Sequence, residues 1–91
     1  MKATLARLAL ADQGIGAFGG DTWASEVYPN PHTKDEFPIN QYMLAKRGIC
    51  NLELIDSRAL VRDKAREFPF VLGQPLDVGS TQVNINPVAI R

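Results

Sequence analysis

The spacing of apolar residues in the first half of the chain predicts a helix followed by a strand. Apolar side chains recur at helical spacing in residues 2–13, and Gly14 follows where a left-handed residue ends many helices. The glycine-rich apolar run at 15–20 predicts a buried strand whose backbone is closely approached by another group. The turn-rich stretch at 28–37 predicts an exposed loop.

A second helix is predicted by signals at both of its ends. Pro38 suits a first helical turn, and Gly48 stands where a left-handed cap would end the helix. Asp35 and Glu36 precede the helix and are expected near its positive end. We therefore expect a helix that begins near Pro38 and ends before Gly48.

Period-two alternation predicts strands in the second half of the chain. Residues 49–55 predict a strand, Asp56 or Ser57 caps a short helix after it, and residues 68–72 predict another strand. Apolar residues also alternate on both sides of the turn at 79–80 and again near the end. The expected fold is α/β, a sheet flanked by two or three helices, in one small domain spanning residues 1–91.

Composition narrows the class of protein and its partners. Hydrophobic residues make up 45% and charged residues 22% of 91 residues, values typical of globular proteins. Ten basic residues balance ten acidic ones, which gives no electrostatic reason to expect nucleic acid or an acidic membrane and weakens the repulsion between copies. No apolar run approaches the roughly 20 residues that cross a bilayer. With a single cysteine, Cys50, a soluble protein of the cytoplasm is expected.

Glu53 is the most informative polar residue, because it lies in an otherwise apolar strand. A carboxylate in such a position is paired with a partner, binds a ligand, or faces solvent. Its face-mates Ile49 and Ile55 argue against exposure, whereas Asn51 on the same face argues for it. The residues by themselves leave these interpretations open.

The other residues that could act in catalysis, metal binding or ligand binding are better explained by structural roles. His32, in its turn-rich loop, is expected on the surface, and Cys50 is expected to be a buried, unreactive thiol. One histidine and one cysteine do not make a spaced zinc cluster, so no metal and no cofactor are predicted. The glycines at 14–20 do not match a phosphate-binding loop. Three aromatic residues are too scattered in sequence for a base-stacking platform: Trp23, Tyr28 and Tyr42.

Several short motifs follow one another in a definite order. They are Gly14-Ile15, Gly20-Asp21-Thr22 with Ser25, Phe37-Pro38-Ile39-Asn40-Gln41-Tyr42-Met43-Leu44, Arg47-Gly48-Ile49, Asn51-Leu52-Glu53, Phe68-Pro69-Phe70-Val71, Gln74-Pro75-Leu76, Gly79-Ser80-Thr81 and Pro87-Val88-Ala89-Ile90. Their order and spacing resemble the C-terminal portion of the cyclase-like metal-dependent hydrolases, a family that includes bacterial kynurenine formamidases and isatin hydrolases. The resemblance covers almost the whole chain and about the last third of a typical family member.

This resemblance implies a partial site without a metal. The family's His-Gly-Thr-His-x-Asp metal motif is absent from these 91 residues. The family's glutamate corresponds to Glu53, but Asn40 stands at its histidine position, and an amide does not replace imidazole as a base or a strong metal ligand. No catalytic residue is therefore predicted. Asp21, Asn40 and Glu53 are candidate ligand-binding residues, and we expect the amide of Asn40 to donate a hydrogen bond to Glu53.

The leading functional hypothesis is a non-catalytic, self-associating module derived from such a hydrolase, with a small-molecule ligand near the three candidate residues. A sheet without its family neighbours would expose edges that recruit other chains, so a homo-oligomer is expected. The alternative is a subunit or fragment of a metal-dependent amide or cyclic-amide hydrolase whose metal motif lies on another chain.

Overall fold

The structure, a computed structural model, describes residues 8–91, which form a mixed α/β arrangement of helices and small sheets. The chain forms two compact units, residues 8–57 and residues 58–91. Each unit contains its own two-stranded sheet, so the single sheet expected from the sequence is wrong. No helix in residues 8–91 has the length and apolar character needed to cross a bilayer.

The first unit opens with a helical segment at residues 8–11. Gly14 has a φ of 72°, so the predicted left-handed residue follows this segment and turns the chain toward strand β1, Ala17–Gly19. The remainder of the predicted helix, residues 2–7, lies outside the described residues.

Strand β1 pairs in parallel with strand β2, Cys50–Leu52, and Gly19 lies opposite Leu52. A Cβ atom at Gly19 would overlap the carbonyl oxygen of Leu52, so no side chain fits at this position. The predicted close approach to the glycine-rich strand is therefore confirmed. Its predicted burial is wrong, because Ala17 and Gly19 are exposed and Phe18 is only half-buried. Strand β2 is shorter than the predicted 49–55, because Leu54 has a φ of 55° and leaves the extended conformation.

The predicted second helix begins with α1, Pro38–Asn40, and continues as a π-helical segment, Gln41–Lys46. The wider turn differs from the expected α-helix: the N–H of Arg47 bonds to the carbonyl of Tyr42, five residues back. Gly48 has a φ of 65° and ends the helix, as predicted. The chain then enters β2 directly.

A small apolar core holds the helix against the strand pair. Ala11, Ile39, Met43 and Ile49 are buried and in contact, and Met43 has no exposed surface. Arg47 adds a polar tie, since its guanidinium donates to the carbonyl of Ala11 and to the carboxylate of Asp12 at 2.8 and 2.9 Å. The apolar contacts and the hydrogen bonds of Arg47 together hold in place the helix that carries Asn40.

The second unit contains helix α2, Arg58–Arg62, and an antiparallel pair of strands, β3 (Phe70–Val71) and β4 (Val88–Ala89). The predicted alternation around residues 79–80 forms no strands. None of the residues 58–91, all of which are described, is buried. This unit therefore has a sheet without an apolar core of its own.

Asp63 forms ion pairs with two arginines of the second unit. Hydrogen bonds from Arg62, and then from Arg91, hold the pKa of its carboxyl below the ordinary value of 3.8. A lowered pKa means that the contribution to stability is complete above the unfolded-state value and is lost as the pH falls through the folded-state value. The contact between Asp63 and Arg91 thus weakens only in acid.

Candidate functional site

The side-chain amide of Asn51 joins three parts of the first unit. Its Nδ2 donates to Oδ1 of Asn40 and to Oε1 of Glu53, both at 2.8 Å. Its Oδ1 accepts a hydrogen bond from Oγ of Ser25 at 2.5 Å. We refer to Ser25, Asn40, Asn51 and Glu53 as the amide network.

Strand geometry explains how two members of the network meet. Asn51 lies in β2 and Glu53 two residues later, so both side chains leave the same face of the chain. Asn40 comes to them from the end of helix α1. Ser25 is only 5% exposed and the other three are half-buried, so water competes little for the bond from Ser25.

Glu26 holds the start of the helix beside this network. Its two carboxylate oxygens accept the backbone N–H groups of Ile39 and Asn40 at 3.1 and 3.2 Å. A helix leaves its first N–H groups without partners inside the helix, and a carboxylate satisfies them with favourable charge. Because Asn40 is one of the two residues bound, Glu26 also fixes the backbone from which the Asn40 side chain extends.

The predicted acidic residues do not occupy that place. Asp35 and Glu36 are exposed, and the first helical turn contains no acidic residue. The backbone N–H of Asp35 bonds instead to Thr33, and the carbonyl of Glu36 accepts from Gln41. Asp35 and Glu36 directly precede the helix, but the carboxylate that binds its N–H groups is that of Glu26, which the loop returns to the helix start. Nearness in sequence does not reveal such a return.

The predicted convergence of Asn40 and Glu53 is present, but the predicted bond between them is not. Both bind the same nitrogen of Asn51, and Asn40 accepts where it was expected to donate. Asp21 lies exposed in the loop after β1, and within residues 8–91 no hydrogen bond joins it to the network. A ligand-binding role for these three residues stays a prediction.

Sequence reasoning missed three residues of the site, namely Ser25, Glu26 and Asn51. Asn51 was interpreted as evidence that its strand face meets water, whereas it is half-buried and satisfies Glu53. A polar residue two positions before a carboxylate in a strand indicates a hydrogen-bonding partner for it, because the two side chains lie on the same face. Ser25 and Glu26 gave no local signal, since their partners are 13 to 26 residues away.

The network offers hydrogen-bonding groups rather than catalytic ones. Amides neither take up nor release protons near neutral pH, so Asn40 and Asn51 position groups but transfer no proton. Within residues 8–91, no three His, Cys, Asp or Glu side chains are grouped to hold a metal ion. His32 is on the surface, as predicted, and Cys50 is half-buried rather than fully buried as expected.

Three aromatic rings form a second feature of this unit, which we call the aromatic cluster: Trp23, Tyr28 and Phe37. The rings of Tyr28 and Phe37 stack with centroids 5.2 Å apart, and Trp23 meets both edge-on at 5.9 and 6.0 Å. Trp23 and Tyr28 are therefore close together although they are separated in sequence, because the loop folds back on itself, whereas Tyr42 is not part of the cluster. Phe37 has a φ of 54°, a strained value for a bulky residue, at the N-cap of α1.

Comparisons with protein-family models, with characterised proteins and with solved structures found no match to this chain. The resemblance to the cyclase-like hydrolases stays a prediction. The chemistry of the amide network and of the aromatic cluster follows from the residues themselves.

Replacing Asn51 with Asp should destabilise the protein by about 1–3 kcal/mol at neutral pH, because the amide donor to Asn40 and Glu53 is lost and two carboxylates then face each other. Chemical denaturation measures the loss, and Asn84→Asp, at an exposed position, is the matched control. Equal stability of the two variants at neutral pH would contradict the network.

Proposed function

We propose that this chain is a non-catalytic, self-associating module whose second unit is covered by another copy of the same chain. The observation that carries the proposal is the lack of any buried residue in residues 58–91. A folded unit needs a buried apolar face, and a two-stranded sheet is marginally stable without one. Association supplies the missing burial.

The exposed apolar residues of the second unit are numerous for a segment of its size. They are Val61, Phe70, Val71, Leu76, Val78, Val88 and Ile90. Contiguous apolar surface on a small protein marks an interaction site, and unpaired strand edges accept further strands. Zero formal net charge means that little long-range repulsion opposes the meeting of two copies.

In this proposal the amide network binds a small ligand that donates hydrogen bonds. Glu53 accepts one hydrogen bond from Asn51, and a carboxylate accepts several, so it can receive further N–H or O–H groups. A site beside a helix start and a strand end is common in α/β proteins. Descent from a cyclase-like hydrolase and a place in the cytoplasm belong to the same proposal, supported by the sequence motifs and by the single cysteine.

The purified chain should sediment as a homo-oligomer at tens of micromolar, roughly the range in which dimers with a Kd near 1 μM are formed. The double variant Leu76→Asp/Val78→Asp should dissociate it, because charged side chains would replace two of the most exposed apolar residues. Leu44→Asp, at an exposed apolar position of the first unit, is the matched control. A 10.0 kDa monomer for the unaltered chain would refute self-association.

A second candidate function is that of a subunit of a metal-dependent amide or cyclic-amide hydrolase, with the metal motif on another chain. The convergence of Asn40 and Glu53 on Asn51 favours it, because the resemblance assigns the first two positions to one site. Asn40 opposes it, since an amide supplies neither a base nor a strong metal ligand. Binding of metal separates the two candidates.

The isolated chain should retain no stoichiometric zinc or manganese after dialysis and should hydrolyse neither N-formylkynurenine nor isatin. The reason is that its single histidine, His32, lies on the surface and no three potential ligands are grouped within residues 8–91. Metal analysis and turnover assays measure both properties. Retained metal, together with turnover that disappears in Glu53→Gln, would favour the hydrolase.

A further inference from the structure

The aromatic cluster exposes a large part of two of its three rings to solvent. Trp23 is 59% exposed and Tyr28 is 52% exposed, although both rings pack edge or face against Phe37. Large aromatic side chains presented together on a surface are typical of the centres of protein interfaces. The half-buried Phe37 and the helix behind it give these rings a fixed platform.

The loop that carries the cluster is acidic. Between residues 21 and 37 the chain carries four carboxylates and a single Lys or Arg side chain. Asp35 and Glu36 are exposed and, with Lys34, line a cavity of about 300 Å³ beside Tyr28. One of the other carboxylates, Glu26, is occupied by the helix start. The exposed rim is thus negative around an apolar centre, which suits a partner with basic residues around apolar ones.

The same chain contains a segment with the complementary character. Residues 58–66 carry four basic residues and one acidic residue, Asp63, to which Arg62 donates, with Val61 exposed among them. Residues 58–91 contain five basic and three acidic side chains. The exposed apolar residues of the second unit lie in this same stretch. The neutral chain therefore divides its charge, with an acidic surface and a basic, apolar segment on the same molecule.

We propose that residues 58–66 of a second copy dock on the aromatic cluster, with the exposed Lys64 and Arg66 against Asp35 and Glu36. This rests on the proposed self-association and names the surfaces that meet. Two copies related by a two-fold axis would form the contact twice and close the assembly. Trp23 becomes buried at the centre of each contact, and the charges set which surfaces meet.

Trp23 is the single tryptophan of the chain, so its fluorescence reports on this surface directly. The emission maximum of the unaltered protein should move to shorter wavelength as concentration rises, in step with the mass measured by sedimentation. Raising the salt from 0.05 to 0.5 M (roughly 14 and 4 Å of screening length) should reverse both changes. This readout needs no variant and so does not depend on a variant that folds.

Charge reversal tests which surfaces meet. Asp35→Lys/Glu36→Lys and Lys64→Glu/Arg66→Glu should each weaken association at least about tenfold, because like charges then oppose each other. An equimolar mixture of the two variants should associate again, since each reversed surface meets its complement on the other variant. Lys46→Glu reverses an exposed charge outside both surfaces and should leave association unchanged. Circular dichroism checks that each variant is folded.

The outcomes separate this inference from the proposed function. A monomer at every concentration would refute both. An oligomer with unchanged Trp23 emission, or a mixture of charge-reversed variants that stays monomeric, would refute the docking contact and leave self-association through another surface. An emission maximum already at short wavelength in the dilute monomer would also refute it, because the cluster would then be covered within one chain.

Discussion

The side-chain amide of Asn51 is the constraint on which the first unit depends. It is the group that bonds at once to a strand neighbour, to the helix start and to the loop between them. A carboxamide has both donors and an acceptor, and no single charged side chain could serve Ser25 and Glu53 in this way. The amide therefore satisfies a half-buried carboxylate without adding a second charge to the interior.

Two consecutive loop residues connect this constraint to the rest of the unit. Ser25 bonds to Asn51, while Glu26 binds the N–H groups at the start of α1, so a single short stretch of loop holds both strand and helix. The aromatic cluster lies on either side of that stretch in sequence and presents its rings from a fixed loop. Polar bonds between residues distant in sequence thereby hold the loop that carries the surface we propose for docking. The second unit, which has no buried residue, needs a partner to cover it.

The elements that were predictable from sequence are those set by local backbone preferences. Pro38 at the helix start and the left-handed glycines Gly14 and Gly48 act within a few residues, and the structure contains each of them. The early end of the second strand and the cap formed by Glu26 were not predictable in this way, and neither was the division into two sheets. They depend on Leu54 leaving the extended conformation and on Glu26 returning from a distant loop, and both are decided by tertiary contacts rather than by spacing. The sequence predicted two of the five site residues, Asn40 and Glu53. It did not predict the bridging role of Asn51, because alternation gives the shared strand face and not its burial.

A double-mutant cycle tests the bridge most directly. Asn40→Ala and Glu53→Ala, made singly and together, should show a coupling free energy of about 0.5–1.5 kcal/mol in the unaltered background, since both residues bind the same nitrogen. In an Asn51→Ala background the coupling should fall to within roughly 0.3 kcal/mol of zero, because nothing then joins them. Coupling that persists without Asn51, or none with it, would contradict the account.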